Sequence, residues 1–130
     1  MCGITGAVWT EPGKAVSASV LTQMTDAVAH RGPDDSQIWI DHDHHDAYGN
    51  RVGIGLGFRR LSIIDVAGAR QPMANEDGKV RMVFNGEIYN FKTLRRRLEA
   101  SGHRFATAGD GESILHLFED LGTDCFAQLH

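Results

Sequence analysis

Hydrophobic positions along the chain fall into a few short rhythms. Over residues 2–9, Ile4, Ala7, Val8 and Trp9 with glycines between them predict a buried strand. Val16, Val20, Met24, Ala27 and Val28 then recur at helical spacing, with Leu21 beside them, and predict a helix over about 16–30. Glu11-Pro12-Gly13-Lys14 between them has turn composition. Arg31-Gly32-Pro33-Asp34-Asp35 ends the helix, since proline has no N–H to continue the ladder. Residues 37–40 predict a strand. The polar run 41–50 (DHDHHDAYGN) predicts a solvated connection whose closing Gly-Asn is a hairpin signal. Residues 52–58 and 60–65 follow as a strand or strand pair, 68–78 as loop, and 80–84 as a strand. Leu94 and Leu98 anchor a helix over 91–100, with Gly102 suited to its C-terminal cap. Residues 104–107 suggest a short strand, and Ile114, Phe118 and Leu121 a third helix ended by Gly122. Strands and helices mix without a strict βαβ rhythm, which favours an α+β fold.

Composition narrows the class. The chain has 130 residues, one domain's length, and its 42% hydrophobic and 23% charged shares are ordinary globular usage. No window approaches the ~18 consecutive apolar residues of a spanning helix, so no membrane partner is expected. Thirteen basic against seventeen acidic residues, net −4, give no reason to expect nucleic acid. Arg95-Arg96-Arg97 reads as the solvated face of the second helix. Two cysteines are too few for a disulfide scaffold, and the N-terminus lacks a secretory pattern, so a reduced cytoplasmic chain is expected. Gly53-Ile54-Gly55-Leu56-Gly57 resembles a phosphate loop, but strand-like residues follow it where a helix N-terminus is needed. Those glycines read instead as strand positions where another backbone passes close.

Cys2 carries the chemistry. Removal of Met1 would put a thiol and an α-amine on one residue, and an amine of pKa ~8 can accept the thiol's proton near neutrality. Asn85-Gly86 follows the apolar segment 80–84 and offers an amide N–H2 beside an unobstructed backbone N–H, two donors suited to an oxyanion hole. From the dipeptide alone an ordinary turn ranks ahead.

Taken together, six segments resemble the class II glutamine amidotransferase domain of glutamine-hydrolysing asparagine synthetases. They are Met1-Cys2-Gly3-Ile4, His30-Arg31-Gly32-Pro33-Asp34, Arg60-Leu61-Ser62-Ile63-Ile64-Asp65, Gln71-Pro72-Met73, Phe84-Asn85-Gly86-Glu87-Ile88-Tyr89-Asn90 and Gly109-Asp110-Gly111-Glu112. Their order and spacing fit along essentially the whole chain. The resemblance implies an N-terminal-nucleophile hydrolase fold, a four-layer αββα sandwich incomplete at its C-terminus. It implies that Cys2 is the nucleophile, with Asn85 and the Gly86 N–H as the oxyanion hole. Arg60 would bind the glutamine α-carboxylate, for which a bidentate fork suits better than lysine. Asp110 and Glu87 would meet the α-ammonium, and the backbone of Arg60, Leu61, Ser62, Ile63 and Ile64 would line the pocket. Glutamine is then the small-molecule partner, and its ammonia would go to an activated aspartate. No cofactor is expected in this segment; ATP and Mg belong to a synthetase domain beyond it. A homodimer is compatible with all of this.

Blander readings stand beside each role. Arg60 could be a surface cation, as Arg59 is expected to be. Asp110 could cap the third helix, Glu87 could be solvated, and His30-Arg31 is given a structural role at a helix end. No metal ligand is assigned: His42, His44 and His45 sit in a polar stretch without fixed geometry. The chain departs from the family at Phe58, where His is frequent, and at Gly109 and Gly111, where Ser and Thr or Cys are common. Glycines flanking Asp110 loosen the backbone and bear on how tightly glutamine binds. The family's domain continues after a segment like 124–130 into another apolar strand, and no Ser-Gly-Gly pyrophosphate loop occurs. Residues 1–130 are therefore expected to be the N-terminal portion of a type 2 amidotransferase domain, marginally stable and weakly active alone. The alternatives are the glutaminase part of a different amide-forming synthetase and a non-catalytic remnant.

Overall fold

The computed structural model describes residues 1–46, 48–61 and 70–130. The chain divides into two compact units, Met1–Ile63 and Ile64–His130. Both helix and sheet are present, as an α+β chain requires.

In the first unit, β1 (Gly3–Trp9), β2 (Asp35–His45) and β3 (Arg51–Arg60) form an antiparallel sheet in the order β1-β3-β2. Helix α1 (Ala18–Ala27) packs on it. Ser17 starts α1 by accepting the Val20 N–H at 3.3 Å. The predicted helix over 16–30 is shorter than expected, because the chain leaves α-helical geometry at Val28 and tightens into a 3₁₀ turn, Ala29–Arg31.

The glycines of β3 make room for α1 and β1. A methyl at Gly53 would overlap the Trp9 indole, and one at Gly57 would overlap the Thr5 and Thr25 hydroxyls. Leu21 Cδ2 lies 3.1 Å from where a Gly55 methyl would stand. The close neighbours are therefore side chains, not the second backbone expected from the sequence. Thr5 and Thr25 Oγ1 are 2.9 Å apart, and Thr25 donates to the Leu21 carbonyl at 2.8 Å, so the hydroxyls under Gly57 are satisfied.

Strand β1 is buried on one side only. Gly3 and Trp9 are buried, whereas Ile4 and Val8 are exposed, because successive side chains alternate across the sheet. Register places Ile4, Val8, Ile54, Leu56, Phe58 and Trp39 on the face away from α1.

Strand β2 is longer than the predicted 37–40. Asp41–His45 belongs to it, with a bulge between Asp41 and His44. An outer strand can be polar, since the ladder to β3 uses backbone groups alone. The predicted hairpin is present. Asp46 fastens its turn by accepting the Tyr48 and Asn50 N–H groups at 2.9 and 2.8 Å, and Gly49 supplies φ +81°. The strand predicted over 60–65 lies outside the described residues beyond Leu61.

In the second unit, β4 (Met73–Ala74) pairs with β5 (Arg81–Met82), followed by α2 (Phe91–Ala100), α3 (Glu112–Leu121) and a 3₁₀ segment, Gly122–Gln128. Ile88, Leu94, Leu98, Ile114, Leu117 and Cys125 form the core. Helix α2 matches its predicted bounds, and Gly102 follows it at φ +106°. The loop predicted over 68–78 contains β4, and the strand over 80–84 shrinks to two residues. No strand forms at 104–107. The Ala106 and Thr107 N–H groups donate to the Glu112 carboxylate at 2.7 and 2.8 Å, so a side chain takes the bonds a sheet would have used.

Candidate active site

Cys2 precedes β1 and is half-buried. Three contacts fix its backbone and thiol. Gly3 pairs with Arg59 in the ladder and packs on Val28, whose Cγ2 lies 2.9 Å from where a methyl would stand. Arg31 Nε donates to the Cys2 carbonyl at 3.1 Å. The Leu61 N–H points at Cys2 Sγ at 3.5 Å. Strand β3 therefore ends with its next backbone donor directed at the sulfur. Arg60 closes β3, half-buried, with its carbonyl accepting the Asp34 N–H at 3.0 Å.

Arg59 is not the surface cation expected from the sequence. Its side chain is 13% exposed, with Nη1 3.3 Å from Asp26 Oδ1, and Nε donates to the Gly32 carbonyl at 2.9 Å. A side chain at Gly32 would collide with the Arg59 backbone, so glycine is required there. Arg31 and Gly32 thus brace the Cys2 end of the sheet. The sequence signal was the His30–Asp34 segment, read only as a helix end.

The second unit holds Asn85, Gly86, Glu87 and Asp110. Gln71 accepts the Phe84 N–H with Oε1 and donates Nε2 to the Phe84 carbonyl at 2.8 Å. This side-chain amide replaces a paired strand and presents Asn85-Gly86 just after it. Asn85, Gly86 and Glu87 are all exposed, while Ile88 is buried and anchors the segment. Asp110 Oδ2 accepts the Ile88 N–H at 2.7 Å. The capping position of α3 is Gly111, with no side-chain cap bond. The helix-cap reading of Asp110 therefore fails: its carboxylate is turned to the 85–88 segment. Sequence reasoning missed the positioning work of Gln71. Ser62, Ile63 and Ile64 lie outside the described residues.

Cys2 and Cys125 are thiols, not a disulfide. Cys125 is fully buried, and burial, with Asp124 adding, pushes its thiol up from the ordinary value. A cleft lined by Trp9, Pro12, His42 and Val52 lies at the other end of β1 from Cys2 and shares no residue with these groups. No helix among the described residues is long and apolar enough to cross a membrane.

The whole chain, residues 1–130, matches the glutamine amidotransferase domain family, and it belongs to that family. Among its relatives is glutamine-hydrolyzing asparagine synthetase 2 of Bacillus subtilis (strain 168), 40% identical over 124 residues, 94% of this chain and 15% of that protein. Glutamine-hydrolyzing asparagine synthetase 3 of the same organism is 36% identical over 132 residues, 100% of this chain and 20% of that protein. Glutamine-hydrolyzing asparagine synthetase 1 of Arabidopsis thaliana is 35% identical over 124 residues, 95% of this chain and 19% of that protein. The chain thus spans 15–20% of the length of these relatives.

Proposed function

We propose that the chain hydrolyses glutamine to glutamate and ammonia through Cys2, as part of a longer protein that spends the ammonia on asparagine synthesis from aspartate. The observation that carries this reading is Cys2 at the open end of β1, with the Leu61 N–H aimed at its sulfur, in a glutamine amidotransferase domain. Residues 1–130 belong to a class II domain of this kind. A sheet apolar on both faces suits the four-layer αββα sandwich, since the face bearing Ile4, Val8, Ile54 and Leu56 needs a second sheet to cover it. The two thiols suit a reducing, cytoplasmic setting.

The chemistry requires loss of Met1. The freed α-amine of Cys2 takes the thiol proton, and the sulfur attacks the side-chain amide carbon of glutamine. Asn85 Nδ2 and the Gly86 N–H hold the resulting oxyanion. The protonated amine gives its proton to the leaving nitrogen, the C–N bond breaks, and ammonia departs. Water then attacks the thioester and returns the thiol and glutamate. Arg60 takes the substrate α-carboxylate, Asp110 and Glu87 its ammonium, and the backbone from Leu61 through Ile64 lines the pocket. ATP and Mg serve the synthetase portion, where aspartate would be activated. Ammonia release from glutamine tests the reading. Turnover by the Met1-free chain that Cys2→Ala abolishes and Cys125→Ala leaves intact supports it; turnover surviving Cys2→Ala overturns it.

A further inference from the structure

Three segments of the second unit converge on a cluster distinct from the residues above. The β4–β5 turn brings Glu76, the stretch after α2 brings His103, and α3 brings His116 and Glu119. One ligand atom each of Glu76, His103 and His116 lies within 4.8 Å of the others. His116 Nδ1 is 2.9 Å from Glu119 Oε2 and 3.6 Å from Glu76 Oε2. His103 Nδ1 is 3.7 Å from the same Glu119 oxygen. Asn75 Nδ2 donates to Glu119 Oε1 at 2.7 Å, which leaves Oε2 turned to the histidines.

The outer ring nitrogens also face carboxylates. His116 Nε2 lies 3.6 Å from Glu112 Oε1, and His103 Nε2 is 3.0 Å from Asp120 Oδ1. A neutral imidazole carries one N–H, so with a carboxylate at each nitrogen either tautomer aims a lone pair at negative charge. For His116, whose side chain is 1% exposed, water cannot relieve this, and its Nε2 has no hydrogen-bond partner among the described residues. A cation beside the two Nδ1 atoms would take the place of the proton that His116 Nδ1 shares with Glu119 Oε2 at 2.9 Å, so that each outer N–H points to its carboxylate and each inner lone pair to the ion. This is the second-shell pattern of metal-bound histidine. Three of the separations, 2.9–3.7 Å, lie near the ~3.3 Å edge of a tetrahedron with ~2.0 Å bonds, and the Glu76, His103 and His116 atoms spread to 4.8 Å, so the ligands would draw together on an ion.

We infer that Glu76, His103, His116 and Glu119 form a binding site for a borderline divalent cation, Zn²⁺ above others, which clips the β4–β5 turn and the segment after α2 onto α3. Two imidazoles with two carboxylates disfavour Ca²⁺ and Mg²⁺, which take oxygen ligands. Glu76, with its side chain 45% exposed, lies on the side from which an ion enters. The bound ion takes no part in glutamine chemistry. It steadies the helix whose first turn follows Asp110.

The test titrates Zn²⁺ into the metal-stripped 130-residue chain by calorimetry, with Co²⁺ as a spectroscopic probe. One ion per chain is expected, with the visible absorption of four-coordinate Co²⁺. At 100 times Kd, zinc should raise the melting temperature by roughly 10 °C. Glu76→Gln and His103→Gln, both at accessible positions, should each weaken binding by about tenfold or more. A triple change of His42, His44 and His45 to Gln, in β2, should leave it unaltered. Absence of stoichiometric uptake, or uptake lost in the β2 triple variant and retained in Glu76→Gln and His103→Gln, overturns the proposal.

Discussion

In Met1–Ile63 the sheet and helix α1 meet through side chains packed over the glycines of β3. In Ile64–His130 side chains bond instead to backbone. Gly53, Gly55 and Gly57 of the first unit are sized to Trp9, Leu21 and Thr25. In the second, Gln71 holds Phe84, Asn75 holds Val80, Asp110 holds Ile88, Glu112 holds Ala106 and Thr107, and Asn90 holds Gln128 and His130. The first unit is specified by volume and fails by crowding. The second is specified by hydrogen bonding and fails when a backbone donor loses its side-chain acceptor. Cys2, next to the ladder-paired strand β1, gains rigidity from the first design. Asn85, Gly86 and Asp110 lie on irregular backbone that needs the second, since no sheet or helix satisfies it.

The largest expected effect is on chemistry. Cys2→Ala should lower ammonia release by roughly a thousandfold or more with melting unchanged, measured by steady-state kinetics beside calorimetry. A chain that retains Met1 should be nearly as inactive, because acylation removes the amine's basicity.

Next come the two stability designs. Gly53→Ala forces a methyl into the Trp9 indole and should cost about 1–3 kcal/mol in urea unfolding. Glu112→Ala removes the acceptor of the Ala106 and Thr107 N–H groups and should cost about 1–2 kcal/mol. Equal tolerance of both changes would erase the contrast between the units.

Smaller effects separate positioning from recognition. Arg31→Ala removes the brace on the Cys2 carbonyl and should lower kcat by about tenfold with KM little changed. Asp110→Ala should mainly raise KM. If it only lowers the melting temperature, its bond to Ile88 is its whole contribution.

The smallest effect is at the β2–β3 turn. The Asn50 side chain and N–H, with the Tyr48 N–H, hold Asp46 below its ordinary 3.8. A depressed carboxyl contributes stability above its unfolded pKa and loses it as pH falls through the folded one. The Tyr48 and Asn50 amide signals should therefore titrate together below pH 3.8, and Asp46→Asn should abolish that step.

Local features could be read from the sequence in both units, and long-range partners in neither. Helix α2 could be read from Leu94 and Leu98, and the β2–β3 hairpin from Gly49-Asn50, because periodicity and turn chemistry are local. Cys2 stood out because position two is chemically special. Residues 104–107 looked like a strand because nothing local reveals that Glu112 will take their N–H groups. Asp110 looked like a cap for the same reason: its partner is Ile88, twenty-two residues away. Arg59 looked solvated, since neither Asp26 nor Gly32 is its sequence neighbour. The histidines of 41–50 drew attention by density, whereas His103 and His116 are scattered in sequence and meet only through folding.

The proposed glutaminase reaction makes Cys2 the nucleophile and has Asn85 and Asp110 act on the substrate. Its most direct test is the rate and position of labelling by a glutamine-like chloroketone, followed by mass spectrometry of the Met1-free chain. One label is expected, on Cys2, slowed by glutamine and by Asp110→Ala or Asn85→Ala, with buried Cys125 unmodified. A label on Cys125, or a Cys2 rate indifferent to both substitutions and to glutamine, would contradict it.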